Sequence, residues 1–167
     1  MAAKSKPATR EPTIVNRRAR HNYAIEMTLE CGISLTGTEV KSVRNGQVSL
    51  TEGYVRATDD PRAQARPSLV LFGVHIAEYP PAGEKQQHDP ARSRTLLAHR
   101  REIRKLAERT RARGLTLIPL KMYFVRGRAK ILIGLARGKR RRDKREDLAK
   151  QQAQRDMARA MSQKRRR

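Results

Sequence analysis

Leu117-Ile-Pro-Leu-Lys-Met-Tyr-Phe-Val125 and Arg128-Ala-Lys-Ile-Leu-Ile-Gly-Leu-Ala136 flank Arg126-Gly127, and the three pieces together read as a β-hairpin. Ile118, Leu120, Met122 and Phe124 fall at alternate positions and answer Ala129, Ile131, Ile133 and Leu135. That period of two puts apolar side chains on one face of a sheet. A two-residue connection containing glycine suits a tight turn. Pro119 has no N–H to give a ladder, so it marks an edge or a bulge.

Working outward, Tyr23, Ile25, Met27 and Leu29 alternate with polar residues up to Glu30, which predicts a half-buried strand. Cys31-Gly32 is expected to turn the chain into a second strand at Ile33–Leu35. Thr36-Gly-Thr-Glu39 has capping-box spacing, with Val40 and Val43 following before Gly46, so a short helix should plug one end of a barrel. Strands are predicted at Ser49–Thr58 and Leu69–Ile76, separated by an exposed Asp59–Pro67 hairpin loop, and Tyr79–Pro90 reads as a longer loop. His99–Arg113 reads as a helix capped through Glu102, with Ile103, Leu106 and Ala107 on its apolar stripe and Arg100, Arg101, Arg104, Lys105 and Arg111 on the opposite face. About six short, mostly consecutive strands with small connecting helices predict a mostly β, OB-like antiparallel barrel. The expected organisation is a disordered basic arm at 1–12, the barrel at 13–137, and a basic tail at 138–167.

The chain has 167 residues, a formal net charge of +23 and a pI near 11.5, a self-repelling surface that a polyanion would neutralise. An anionic membrane is the alternative to nucleic acid, but no apolar run approaches the ~20 residues of a spanning helix. Met1–Asn16 also lacks the apolar stretch of a signal peptide. A monomer of the cytoplasm, with no membrane partner, is expected. Cys31 is the only cysteine and reads as a small apolar residue beside a turn.

Catalytic patterns are missing from the sequence. His21, His75, His88 and His99 are scattered, without metal-ligand spacing, and no glycine-rich phosphate loop is followed by Ser or Thr. Glu26, Glu30 and Glu39 are the carboxylates a nuclease would need, but Glu26 and Glu30 share the polar face of a strand, where a solvated or Arg-paired role is expected. The expected function is therefore binding, without enzyme activity, cofactor or metal. With no Trp, two Phe and four Tyr, the chain is poor in stacking platforms for single strands, and structured RNA read through its backbone fits better.

From Gly138 onward the chain carries 13 Lys/Arg against 4 Asp/Glu. Leu148, Ala149, Ala153, Met157, Ala160 and Met161 fall near one face of a helix, a stripe too thin to anchor the tail by burial. The tail should be disordered or nascently helical when free and become ordered on a polyanion.

Asn16-Arg-Arg-Ala-Arg-His21, Leu35-Thr-Gly-Thr-Glu-Val-Lys-Ser-Val-Arg44, Tyr54-Val, His88-Asp-Pro90, Arg101-Glu-Ile103 and Gly134-Leu-Ala-Arg-Gly-Lys139 followed by Asp143-Lys-Arg145 occur in this order. In these blocks the chain resembles the SsrA-binding proteins of bacteria, the small protein B family, over roughly residues 13–161. The resemblance implies an OB-fold barrel that binds transfer-messenger RNA (tmRNA) at its tRNA-like end and delivers it to stalled ribosomes for trans-translation. It implies an RNA-binding face at Asn16, His21, Glu30, Leu97 and Lys130, flanked by Arg17, Arg18, Arg20, Arg128 and Arg137. Asn16 is then expected to meet a base or ribose, and Glu30 to accept from a base amino group or orient a neighbouring Arg. The resemblance also implies a tail that becomes helical in the vacant mRNA channel beside the decoding centre, hinged at Gly138. Lys139, Arg140, Arg141, Arg142, Lys144 and Arg145 would follow ribosomal RNA, Asp143 would cap the helix, and Met157 and Met161 would lie on its apolar side. Two departures are Arg142, where relatives often carry an aromatic or His, and the long Asp59–Ser68 loop. A structural ribosomal or ribosome-assembly protein is the alternative reading.

Overall fold

The computed structural model describes residues 11–59, 66–83, 87–111 and 114–140, together with Asp143, Gln152, Ala153, Asp156, Met157, Arg159 and Met161. The expected arm up to residue 10, most of the Asp59–Ser68 loop, and Arg141, Arg142, Lys144 and Arg145 lie outside the described residues. In chain order the elements are β1 (Ile14–Val15), α1 (Arg17–Asn22), β2 (Tyr23–Ile33), α2 (Gly37–Arg44), β3 (Val48–Ser49), β4 (Tyr54–Thr58) and β5 (Ser68–Phe72). There follow β6 (His75–Ile76), a short 3-10 turn at Pro80–Ala82, β7 (Arg94–Leu97), α3 (Arg100–Thr110), β8 (Leu115–Val125) and β9 (Arg128–Gly138).

The hairpin forms as β8 and β9, and its turn carries φ values of 49° at Arg126 and 73° at Gly127, the pair of positive angles that a type I′ turn requires. The large sheet runs β1-β8-β4-β5-β7-β2-β9, and the β8–β9 pairing closes six of these strands into a ring. All its pairings are antiparallel. Closure is uneven, because β4 and β8 share the single register pair Val55↔Leu117. This is the expected OB-like barrel, and β3 pairs with β6 outside it.

Two bulges, both in strands paired with β9, divide the apolar residues between two clusters. β8 shifts register between Pro119 and Lys121, leaving Leu120 as the extra residue, and β2 shifts between Ile25 and Met27 around Glu26. A slipped residue reverses the outward and inward faces. Leu117 and Met122 therefore enter the main core with Ile131, Ile133 and Leu135, while Ile118 and Leu120 join Ala19 and Ala136 in a second cluster beneath α1. The uniform face predicted for Ile118 to Phe124 is broken at this bulge. Gly134 lies between the two slips, where a Cβ would come 3.0 Å from Leu120 Cδ1 and 3.2 Å from Ile25 Cγ2.

Other boundaries differ for identifiable reasons. Cys31-Gly32 does not turn: β2 continues to Ile33, and the missing Cβ of Gly32 lets Leu97 of β7 lie close. Strand β7 went unpredicted because one of its two inward residues is Arg94. The strand predicted at Leu69–Ile76 breaks at Gly73, with φ 66°, and the one at Ser49–Thr58 breaks at Thr51–Gly53. α2 contributes Val43 to the core, whereas α3 inserts both Ile103 and Leu106, each worth ~1.5–3 kcal/mol when fully buried. Both helices receive the predicted acidic cap: Thr36 N–H donates to Glu39 Oε2 at 2.7 Å, and His99 N–H donates to Glu102 Oε2 at 2.9 Å. Cys31 is fully buried, and burial pushes its thiol up to about 12, which makes it inert.

Candidate nucleic-acid interface

α1 carries the first group of expected contacts. Arg17, Arg18, Arg20 and His21 are exposed, while Ala19 packs on Ile118, Leu120 and Ala136. No acidic residue lies in its first turn, so Arg17 and Arg18 oppose the helix dipole at the positive end, a local cost that an anionic partner would relieve. Asn16 is not available to a base. It is buried, its Oδ1 accepts the Ala19 N–H at 3.0 Å, and its Nδ2 donates to Leu50 O and Pro119 O at 2.9 and 3.1 Å. It caps α1 and ties the helix to the β8 bulge, which makes it a positioning residue.

β9 completes this end. Arg137 lies 3.4 Å from Glu26, Lys139 N–H extends the ladder to Asn22 O at 2.9 Å, and Lys139 Nζ donates to Arg20 O at 2.8 Å. Gly138, expected as a hinge, is the last residue of β9 and is paired with Tyr23. The barrel thus extends past residue 137, and Lys139 belongs with α1 rather than with a free tail.

Glu30, Leu97, Arg128 and Lys130 gather at the other end of β2. That strand spans 11 residues, roughly 30 Å at ~3.3 Å per residue, so the expected face divides into two clusters. Glu30 accepts from the Tyr123 hydroxyl, and its Oε1 lies 3.4 Å from Lys130 Nζ. The Tyr123 hydrogen bond, outweighing burial and helped by Lys130 and Lys121, holds the Glu30 carboxyl below its ordinary range. In return, burial first and Glu30 second push the Tyr123 phenol up to about 12. Glu30 orients Tyr123 and Lys130 rather than an Arg. Lys121 stands 4.9 Å from the Tyr123 ring centre, and Leu97, 59 % exposed, borders a groove of about 440 Å³ with Arg128 and Lys130.

Tyr123 and Lys121 were not singled out from the sequence, although the alternation of β8 already turns both outward. A further missed group is internal: buried Glu39 accepts from Arg92 Nη2 at 2.5 Å and from Arg94 Nε at 2.8 Å. Arg94 also donates to Val74 O, Arg92 O and Pro90 O. His88 is buried between Thr38 Oγ1 and Ile76 O, at 2.9 and 3.1 Å. Glu26, Glu30 and Glu39 thus each serve different cations. Of the tail, Asp143 is helical and accepts the Arg140 N–H at 3.0 Å, and Met157 and Met161 are helical and 61 % and 75 % exposed. Among the described residues, no helix is long and apolar enough to cross a membrane.

Residues 13–163 match the model of the SmpB protein family. An SsrA-binding protein of Roseiflexus sp. (strain RS-1) is 49% identical over 152 residues, covering 91% of this chain and 92% of that protein. One of Microcystis aeruginosa is 53% identical over 146 residues, covering 87% and 90%. A solved chain described as "tmRNA-SmpB: a journey to the center of the bacterial ribosome" is similar with a TM-score of 0.63 and 47% identity, over 82% of this chain and 94% of that one.

Proposed function

The chain belongs to the SmpB protein family, and from that membership and its two cationic clusters we infer that it binds tmRNA and brings it to stalled ribosomes for trans-translation. The observation that carries this reading is the match over residues 13–163, which takes in the barrel and most of the tail. The role is binding in the cytoplasm, not catalysis. At the α1 end Arg17, Arg18, Arg20 and His21 meet RNA phosphates, with Arg137 and Lys139 beside them. At the far end Arg128 and Lys130 add charge, Leu97 packs against a sugar or base, and Glu30 keeps Lys130 and Tyr123 in place. Two clusters set at opposite ends of β2 suit one folded RNA lying along the barrel better than a short single strand. The tail from Arg140 onward is the ribosome-facing part, with its cations against ribosomal RNA in the mRNA channel.

RNA crosslinked to the tagged chain in bacterial cells and then sequenced tests the assignment. Dominant recovery of tmRNA, with additional crosslinks at the ribosomal decoding site, is expected. Recovery of ribosomal RNA alone would contradict it and favour a permanent ribosomal component.

A further inference from the structure

The few aromatic residues of this chain are not all spent on its core. Tyr54 of β4 and Phe72 of β5 face each other across the sheet in register and stack with ring centres 5.3 Å apart and planes 17° apart. The Arg56 guanidinium stands 5.7 Å from the Phe72 ring centre and extends the stack. Tyr54 is nevertheless 44 % exposed, and it lines a cleft of about 310 Å³ between α1 and the Thr51–Gly53 turn. A cleft of that size is near the lower limit for small-molecule sites, too small for a helix and adequate for one nucleotide.

The walls suit a base. Thr51, Thr116 and Asn22 bring hydroxyls and a carboxamide, which can both donate and accept at a base edge. Arg18 stands at the rim, 3.9 Å from Glu52, with both side chains mostly exposed (73% and 82%). So loose a surface pair contributes little and leaves the guanidinium available to a phosphate. The turn is held firmly, since a Cβ on Gly53 would come within 2.7 Å of both Pro119 Cγ and Val74 Cγ2. β4 and β5 are also the second and third strands of the closed ring, and the outer face of those strands is where OB barrels take oligonucleotides.

We propose that the cleft beside Tyr54 receives a single unpaired RNA base, stacked on the Tyr54 ring with its phosphate on Arg18. Phe72 backs the ring and keeps it oriented, so little side-chain entropy is lost on binding. The site rests on the reading of this chain as an RNA-binding protein, but it differs from the backbone contacts above in requiring an unpaired base. A cross-strand pair serving only sheet stability would give Tyr54 no role in binding.

The test uses the full chain, a short oligoadenylate carrying one 2-aminopurine, and tmRNA as a separate ligand. Tyr54→Phe should bind oligoadenylate like the unaltered chain. Tyr54→Leu, which keeps apolar packing on Phe72, should bind about tenfold more weakly, the loss expected for one stacked base. Binding to the unaltered chain should quench the 2-aminopurine. Unquenched 2-aminopurine in the bound complex overturns the proposal, and so does unchanged oligoadenylate affinity in a folded Tyr54→Leu chain. The two readings fail separately. If tmRNA binds while oligoadenylate ignores Tyr54, the cleft is wrong and the function stands. If oligoadenylate depends on Tyr54 while tmRNA does not bind, the function falls and the cleft stands.

Discussion

Glu39 shows how a carboxylate that a nuclease reading would use is committed to structure instead. Its side chain has no exposed surface, so each of its oxygens depends on Arg92, Arg94 or the Thr36 N–H. Burial pushes its pKa up, but the hydrogen bonds from Arg92, Thr36 and Arg94 outweigh that and hold it below the ordinary value of 4.5. A lowered folded-state pKa means that this stabilisation is complete above the unfolded-state value and is lost as pH falls through the folded one. Glu39→Gln should cost about 3–5 kcal/mol in urea unfolding near neutral pH, because Arg94 stays buried without its counter-charge. The variant should also lose part of the acid dependence of stability below about pH 4.5. On the outer face, Tyr123 should ionise near pH 12 in an absorbance titration with Tyr123→Phe as the blank. Glu30→Gln should bring that ionisation down, because it removes the nearby charge and leaves only a weaker neutral acceptor for the phenol.

The β8–β9 hairpin contains one residue at odds with its conformation. Arg126 holds a φ of 49°, a region where Asn is several times better represented than other non-glycine residues. Arg126→Asn should therefore stabilise the protein by roughly 0.5 kcal/mol, since the Asn side chain suits the turn. Thermal unfolding monitored by circular dichroism would show the midpoint rise, and an unchanged or lowered midpoint would mean that the arginine makes a compensating contact. The turn and both strands were legible because turn chemistry and alternation agreed. The bulges were legible only in part: Pro119 announced one in β8, but nothing local announced the slip around Glu26. β7 was hidden because Arg94, an inward residue, reads as polar and is neutralised by Glu39 from α2, a partner 55 positions away. The same limit applied to the interface. Asn16 has the chemistry of a base contact, and only the fold shows that Leu50 and Pro119 already occupy its donors.

At the scale of the whole molecule, the proposed division of labour between barrel and tail depends on where the barrel ends. Lys139 makes two hydrogen bonds back to α1, so a cut after Gly138 would loosen the cationic cluster as well as remove the tail. A cut after Arg140 keeps those bonds and removes 11 Lys/Arg against 4 Asp/Glu. If the barrel alone holds tmRNA, the shortened chain should retain its affinity within a few-fold. Its plot of log affinity against log salt should also keep its slope, about 0.7–0.9 for each phosphate neutralised. Tagging of peptides on ribosomes stalled without a stop codon should nevertheless be lost, because the cations proposed to follow ribosomal RNA are gone. Filter binding over a salt series, run beside a reconstituted tagging assay, separates the two tasks. A shallower salt slope in the shortened chain would place tail cations on tmRNA itself, and the assignment of the tail to the ribosome would then have to be abandoned.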